Sequence, residues 1–210
     1  MEASASAPTS PEIELEPPEW QPRALWVGSR ELCGVSAFYF AAFFFAYFYL
    51  RSLDSNKSWT IGSVHPPVAF GVAILVLLVL SAIALRAAAQ RPELTLRAGG
   101  AALAFAMLAI VLQVIEWTTL GFGPASGGYA SVFIGWTVSF AVYGLLCAYW
   151  IETQVATAWR RGRERIGATP ADVLTDVETV HAGVRACSFF WTFSVVIGAV
   201  MFVLLYVLGT

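Results

Sequence analysis

The chain has 210 residues, of which 58% are hydrophobic and only 12% charged, with a formal net charge of −2 and a mean hydropathy of +0.70. That composition excludes an ordinary soluble domain and gives no expectation of a nucleic-acid partner. Five apolar runs, near residues 31–50, 68–85, 98–120, 129–151 and 186–208, approach or exceed the roughly 20 helical residues needed to cross a hydrocarbon core. None alternates with the period of two that marks a membrane barrel strand. The expected fold class is all-α, an integral membrane bundle of five transmembrane helices.

Residues 1–23 carry Glu2, Glu12, Glu14, Glu16 and Glu19 among Pro8, Pro11, Pro17, Pro18 and Pro22. This acidic, proline-rich stretch has too little apolar surface to fold alone and is expected to be a flexible tail. It lacks the basic start and apolar core of a signal peptide, so the first span is expected to serve as its own insertion signal. The membrane domain then occupies residues 24–210, with Trp20 and Trp26 expected at an interface. Arg30 and Arg51 bracket the first span at a separation of about 31 Å along a helix, so that both snorkel to water. Aromatic residues from Phe38 to Tyr49 are interleaved with Ala37, Ala41, Ala42 and Ala46, small side chains that admit a neighbouring helix.

Trp59, His65, Pro66 and Pro67 form the next loop, with His65 expected on the solvent side and the prolines opening the second span. That span is featureless except for Gly71 and Ser81, and it ends among Arg86, Arg91 and Arg97 around Pro92. The third span carries the most polarity. Gln113 and Glu116 are three residues apart and share one helical face, and Trp117 closes the helix. Counted from Arg97, Glu116 lies about 28 Å along the axis, at the far interface rather than the bilayer centre. A carboxylate at mid-membrane costs roughly 2.5–3.5 kcal/mol on insertion scales, whereas one at a helix end reaches water. The residue-level expectation is therefore that Glu116 reaches water; a contact with lipid headgroups or another subunit is the functional alternative. Gly121, Gly123, Pro124, Gly127 and Gly128 then reverse the chain.

The fourth span begins at the Tyr129 turn and runs to Trp150 and Glu152, followed by Trp159 and the basic cluster Arg160, Arg161, Arg163 and Arg165. Thr169, Pro170 and Asp172 resemble a helix start, and Val173, Val177, Val180 and Val184 recur at helical spacing, which predicts a short amphipathic surface helix before the last span. The excess of arginine in alternate loops puts the N-terminus in the cytoplasm and the C-terminus outside. Cys33, Cys147 and Cys187 show no paired spacing and are read as small packing residues. His65 and His181 are expected in loops on opposite sides of the membrane. No histidine is expected within a span, so no haem, copper or other metal ligand set is identified, and no catalytic or cofactor-binding residue is assigned.

The chain after Arg23 resembles subunit III of the haem–copper cytochrome c oxidases. The most specific part is the series Gln113, Glu116, Trp117, Tyr129, Ser131 and Phe133. Ala46, Tyr47, Leu50 and Arg51 at the end of the first span, and His181, Gly183, Val184, Ala186, Phe190, Trp191 and Phe193 leading into the last, extend it. Five spans with the N-terminus inside match the short bacterial forms, which implies a bacterial plasma membrane. The family's buried glutamate falls on Ser36 without gaps, or on Glu31 with a five-residue shift. Both histidines of the family's motif after Phe133 are absent, that stretch reading Thr137, Val138, Phe140 and Tyr143. In the final motif Thr192 and Val195 stand for histidine and aspartate.

The resemblance implies a non-catalytic component of a terminal oxidase. Such a component packs on catalytic subunit I, binds phospholipid in a cleft, and leaves haem and copper to its partner subunits. Gln113, Glu116, Trp117, Tyr129 and Tyr143 are expected at lipid or subunit contacts, with Phe140, Trp191 and Phe193 lining the apolar cleft. Two other readings stay open on sequence: an accessory subunit of a nitric oxide reductase, and an independent membrane carrier or lipid-binding protein.

Overall fold

The computed structural model describes residues 20–54, 59, 65–164 and 170–209. Among them there is no strand, and five helices are long and apolar enough to cross a membrane. They are α1 (Trp20–Ser52), α2 (Val68–Gln90), α3 (Thr95–Thr119), α4 (Gly128–Glu164) and α5 (Pro170–Phe202). A turn of 3₁₀ helix, Pro92–Leu94, links α2 to α3, and a π-helical turn, Val203–Val207, extends α5. The chain is a multi-pass membrane protein. The tail predicted over residues 1–23 lies almost wholly outside the described residues.

Each helix packs through a narrow stripe. On α1 the buried positions are Ser29, Cys33, Ser36, Phe40 and Tyr47, spaced so that they share one face. That face meets α5 and α4, and α1 hardly touches α2 or α3. Its other sides, including Val35, Phe38, Phe45 and Phe48, are exposed, as suits a helix surrounded by acyl chains. Helices α2 and α3 form the tightest pair. Ala88, Ala102 and Ala106 at their interface are wholly buried, and such small side chains let the two backbones close up. Helix α5 contacts α1, α2 and α4, and α3 contacts α4.

The helices are longer than the apolar runs that predicted them. α1 starts at Trp20 rather than near residue 31, and α4 continues through the arginines to Glu164. The 37 residues of α4 amount to about 55 Å of helix, well beyond the roughly 30 Å of a hydrocarbon core. The separate surface helix predicted before the last span is not present: α5 is continuous from Pro170. Val184, the last residue of the valine repeat, shares one buried phase with Cys187, Trp191 and Val195. His181, expected in a loop, therefore lies within α5, inside the apolar segment Glu178–Val207.

Two cores result. One is aliphatic and rich in alanine, with Leu78, Leu85, Ala102, Ala106, Ile151, Val184 and Trp191 from α2 to α5. The other is aromatic, with Phe40, Tyr47, Trp59, Tyr129, Phe133, Trp136 and Tyr206 gathered where α1 and α5 end and α4 begins. The three cysteines are free and buried.

Candidate functional site

Where the two cores meet, α3 presents Gln113 and Glu116 to the interior. Gln113 Nε2 donates to Glu116 Oε2 at 2.6 Å. Tyr206 of the π-helical turn sits with its hydroxyl 2.8 Å from both carboxylate oxygens. Glu116 is 0% exposed. The expectation that it reaches water at the helix end is thus corrected: it is buried beneath the α3–α4 turn, with no surface open to a headgroup or partner. The physical reason is azimuth. Gly99, Ala102, Ala106, Ala109, Gln113 and Glu116 are all buried on α3, at spacings of three and four residues, so Glu116 lies on the face that α3 turns to its neighbours. Depth along the axis alone did not reveal this.

Sequence reasoning missed Tyr206, and its placement depends on the distortion of α5. Leu208 N–H bonds to the Val203 carbonyl at 3.0 Å, the wider hydrogen-bond spacing of a π turn, a feature that occurs often at functional sites. The Tyr206 ring stacks on Phe202 and meets Phe133 edge-on, at centroid distances of 5.1 and 5.3 Å. On the other side the ring lies against Gly71 of α2, where an added Cβ would come within 2.7 Å of Tyr206 Cε1. Glycine at that position is what admits the phenol ring.

The other predicted residues are mostly interhelical ties. Trp117 Nε1 donates to Thr137 Oγ1 at 3.0 Å, joining α3 to α4. Tyr129 is buried, and its hydroxyl donates to the Leu205 carbonyl at 2.6 Å. Between them the reversal is fixed by Gly127, at φ 150°, a conformation that L side chains rarely adopt. Ser131 Oγ lies within hydrogen-bonding distance of the Pro124 and Gly127 carbonyls. The Tyr143 hydroxyl donates to Ser36 Oγ, which donates in turn to the Leu32 carbonyl at 2.6 Å. Of the two positions weighed for the family glutamate, Ser36 thus faces the bundle and Glu31 is exposed. Trp191 is buried and donates to Ser81 Oγ at 3.0 Å, and Ser81 donates to the Ala102 carbonyl at 2.7 Å.

Phe140 and Trp191 line a cavity of about 20 Å³ together with Ile74, Leu78 and Gln113. Phe193, expected with them, is half-buried and is not part of its wall. A second cavity, of about 40 Å³, borders Gln113, Thr137, Phe140 and Tyr206. Away from these, a groove of about 450 Å³ opens between Ala24, Leu25, Gly28 and Ser29 of α1 and Trp150 of α4.

Among the described residues no three of His, Cys, Asp and Glu gather in one place. The polar site is a carboxyl, an amide and a phenol, a set that accepts, donates and passes protons and offers no imidazole or thiolate. No family model matches the chain, and a search of curated proteins finds no match to it.

Proposed function

We propose that the chain is a non-catalytic, subunit III-like component of a respiratory haem–copper terminal oxidase. In this reading it lies in a bacterial plasma membrane with its N-terminus in the cytoplasm and its C-terminus outside, as the arginine distribution favours. It packs on catalytic subunit I, which holds the haem and copper, while this chain contributes packing, lipid binding and support of turnover.

The observation that carries the reading is the convergence of the residues that hold the resemblance. Glu116 bonds Tyr206, Phe133 packs on that same phenol, and Tyr129 bonds the carbonyl next to it. Trp117 ties in Thr137 one turn after Phe133. Residues of one motif would be expected to lie close together, and the proximity of these supports the reading. The groove between α1 and Trp150, larger than the internal cavities and lined mainly by apolar groups, is where this reading places an acyl chain.

The test is a pull-down of the tagged chain from its native membrane in mild detergent, read by optical spectroscopy and mass spectrometry. Co-purification of haem–copper oxidase subunits is the expected result. A colourless preparation without such subunits overturns the proposal, and recovery of nitric oxide reductase subunits moves it to that enzyme.

A further inference from the structure

Glu116 is the only acidic residue among those described that is buried in the core. Its partners are the neutral Gln113 amide and the Tyr206 hydroxyl. The titratable groups that face it are tyrosines, Tyr206 from α5 and Tyr129 from α4. Helix α2 contributes Gly71 and Ile74 to the same region, neither of them charged. The Arg51 guanidinium at this end of the bundle is held by the Tyr47 hydroxyl at 2.7 Å and the Leu208 carbonyl at 3.1 Å. A carboxylate in such surroundings has lost its hydration without gaining a counter-charge, and the usual outcome is that the group keeps its proton. The geometry accommodates that proton. A hydroxyl both donates and accepts, so Tyr206 Oη, equidistant from the two oxygens, receives the carboxyl O–H as readily as it donates.

The cavity beside this group supplies the second half of the inference. Its volume of about 40 Å³ exceeds the roughly 10–15 Å³ that one water requires. Its wall includes the polar side chains Gln113, Thr137 and Tyr206, and two to four such partners are what a buried water needs. The neighbouring cavity of about 20 Å³ shares Gln113 but is otherwise lined mainly by Ile74, Leu78, Ala109, Ile110 and Phe140, so water has its reason to stay in the larger one. Tyr206, carried on the π turn, both bonds the carboxyl and forms part of the cavity wall.

We propose that Glu116 is a protonated buried carboxyl that exchanges its proton, through the Tyr206 hydroxyl, with water held in the cavity lined by Gln113, Thr137 and Tyr206. In the exchange the carboxyl O–H passes its proton to Tyr206 Oη while Tyr206 passes its own to a cavity water. That water returns a proton by the reverse steps, so no net charge is created. The site is a proton-binding site of this chain alone and does not rest on the identity of its partner.

The experiment is infrared spectroscopy of the full-length protein in phosphatidylcholine vesicles at neutral pH, transferred from H₂O to D₂O. Expected is a protonated-carboxyl carbonyl stretch above the amide band that moves down in D₂O and is missing in Glu116→Gln. In Tyr206→Phe the band persists, shifts upward as its hydrogen bond is lost, and exchanges about tenfold more slowly, equivalent to about 1.4 kcal/mol in barrier. A spectrum without a protonated-carboxyl band, a band that survives Glu116→Gln, or exchange in Tyr206→Phe as fast as in the parent overturns the proposal. If Glu116→Gln does not fold, the frequency and exchange rate in Tyr206→Phe decide, because that variant keeps the carboxyl.

Discussion

The two cores of the bundle are held together by different means. In the aliphatic half, Ala88, Ala102 and Ala106 vanish into the α2–α3 contact, and the polar link is the short chain from Trp191 through Ser81 to the Ala102 carbonyl. In the aromatic half the rings of Phe40, Tyr47, Trp59, Tyr129, Phe133, Trp136 and Tyr206 fill the space between the helices. There Tyr206–Glu116, Tyr129–Leu205, Trp117–Thr137 and Arg51–Leu208 bonds cross between helices or their ends. The difference follows from the solvent. Lipid tails are as apolar as leucine, so helices associate through close packing of small side chains and through interhelical hydrogen bonds, and the two halves draw on these in different proportion. The larger cavity lies where one mode gives way to the other, bordered by Leu78 and Ile74 on one side and by Trp136 and Tyr206 on the other.

Substitutions that strike one mode and spare the other sharpen this contrast, each measured by unfolding in mixed micelles with helical circular dichroism. Glu116→Ala has the largest expected effect, a loss of about 2–4 kcal/mol, because it leaves the Gln113 amide and the Tyr206 hydroxyl without their shared acceptor and opens a void. Ala106→Leu attacks the other half by forcing four-carbon bulk into a wholly buried alanine site; overpacking of this kind costs about 1–3 kcal/mol. A leucine that raised stability there would show that the α2–α3 contact is not close-packed. Ser81→Ala removes the acceptor of Trp191 Nε1 and should cost about 0.6 kcal/mol and no more than about 1.7 kcal/mol, the average and the maximum for interhelical hydrogen bonds in a membrane. The smallest effect is expected from combination. Ala106 lies about 15 Å along α3 from Glu116, so Ala106→Leu and Tyr206→Phe should add to within about 0.5 kcal/mol. Strong coupling between them would mean that the two cores are one cooperative unit.

Much of this architecture was legible in the chain. Hydropathy alone locates all five spans, and the glycines and proline after Leu120 locate the reversal between α3 and α4. Helix ends were harder, since charged residues such as Arg160 and Arg161 continue a helix into water as readily as they stop a hydrophobic run. The polar site was half visible. Gln113 and Glu116 stood out by residue type, and the alanines at 102, 106 and 109 carried the phase that turns both inward. Reading distance along the axis without that phase sent Glu116 to the surface. Tyr206 gave no local sign, because its place depends on a π turn and on the clearance left by Gly71 on another helix. Trp191 and Tyr143 were marked as contact residues, yet their hydroxyl partners, Ser81 and Ser36, lie more than 100 positions away in the chain.

The order of contacts also bears on how the protein is made. Helix α1 rests on α4 and α5 and hardly meets α2 or α3, so it has no seat until those two helices exist. Some 150 residues separate the end of α1 from the end of α5, about 8–30 s of synthesis at roughly 5–20 residues per second. For that interval α1 is without α4 and α5, its aromatic faces against lipid, while the α2–α3 hairpin assembles without it. Only when the chain reaches Leu208 can Arg51 find its carbonyl, so α1 docks after the helices that follow it.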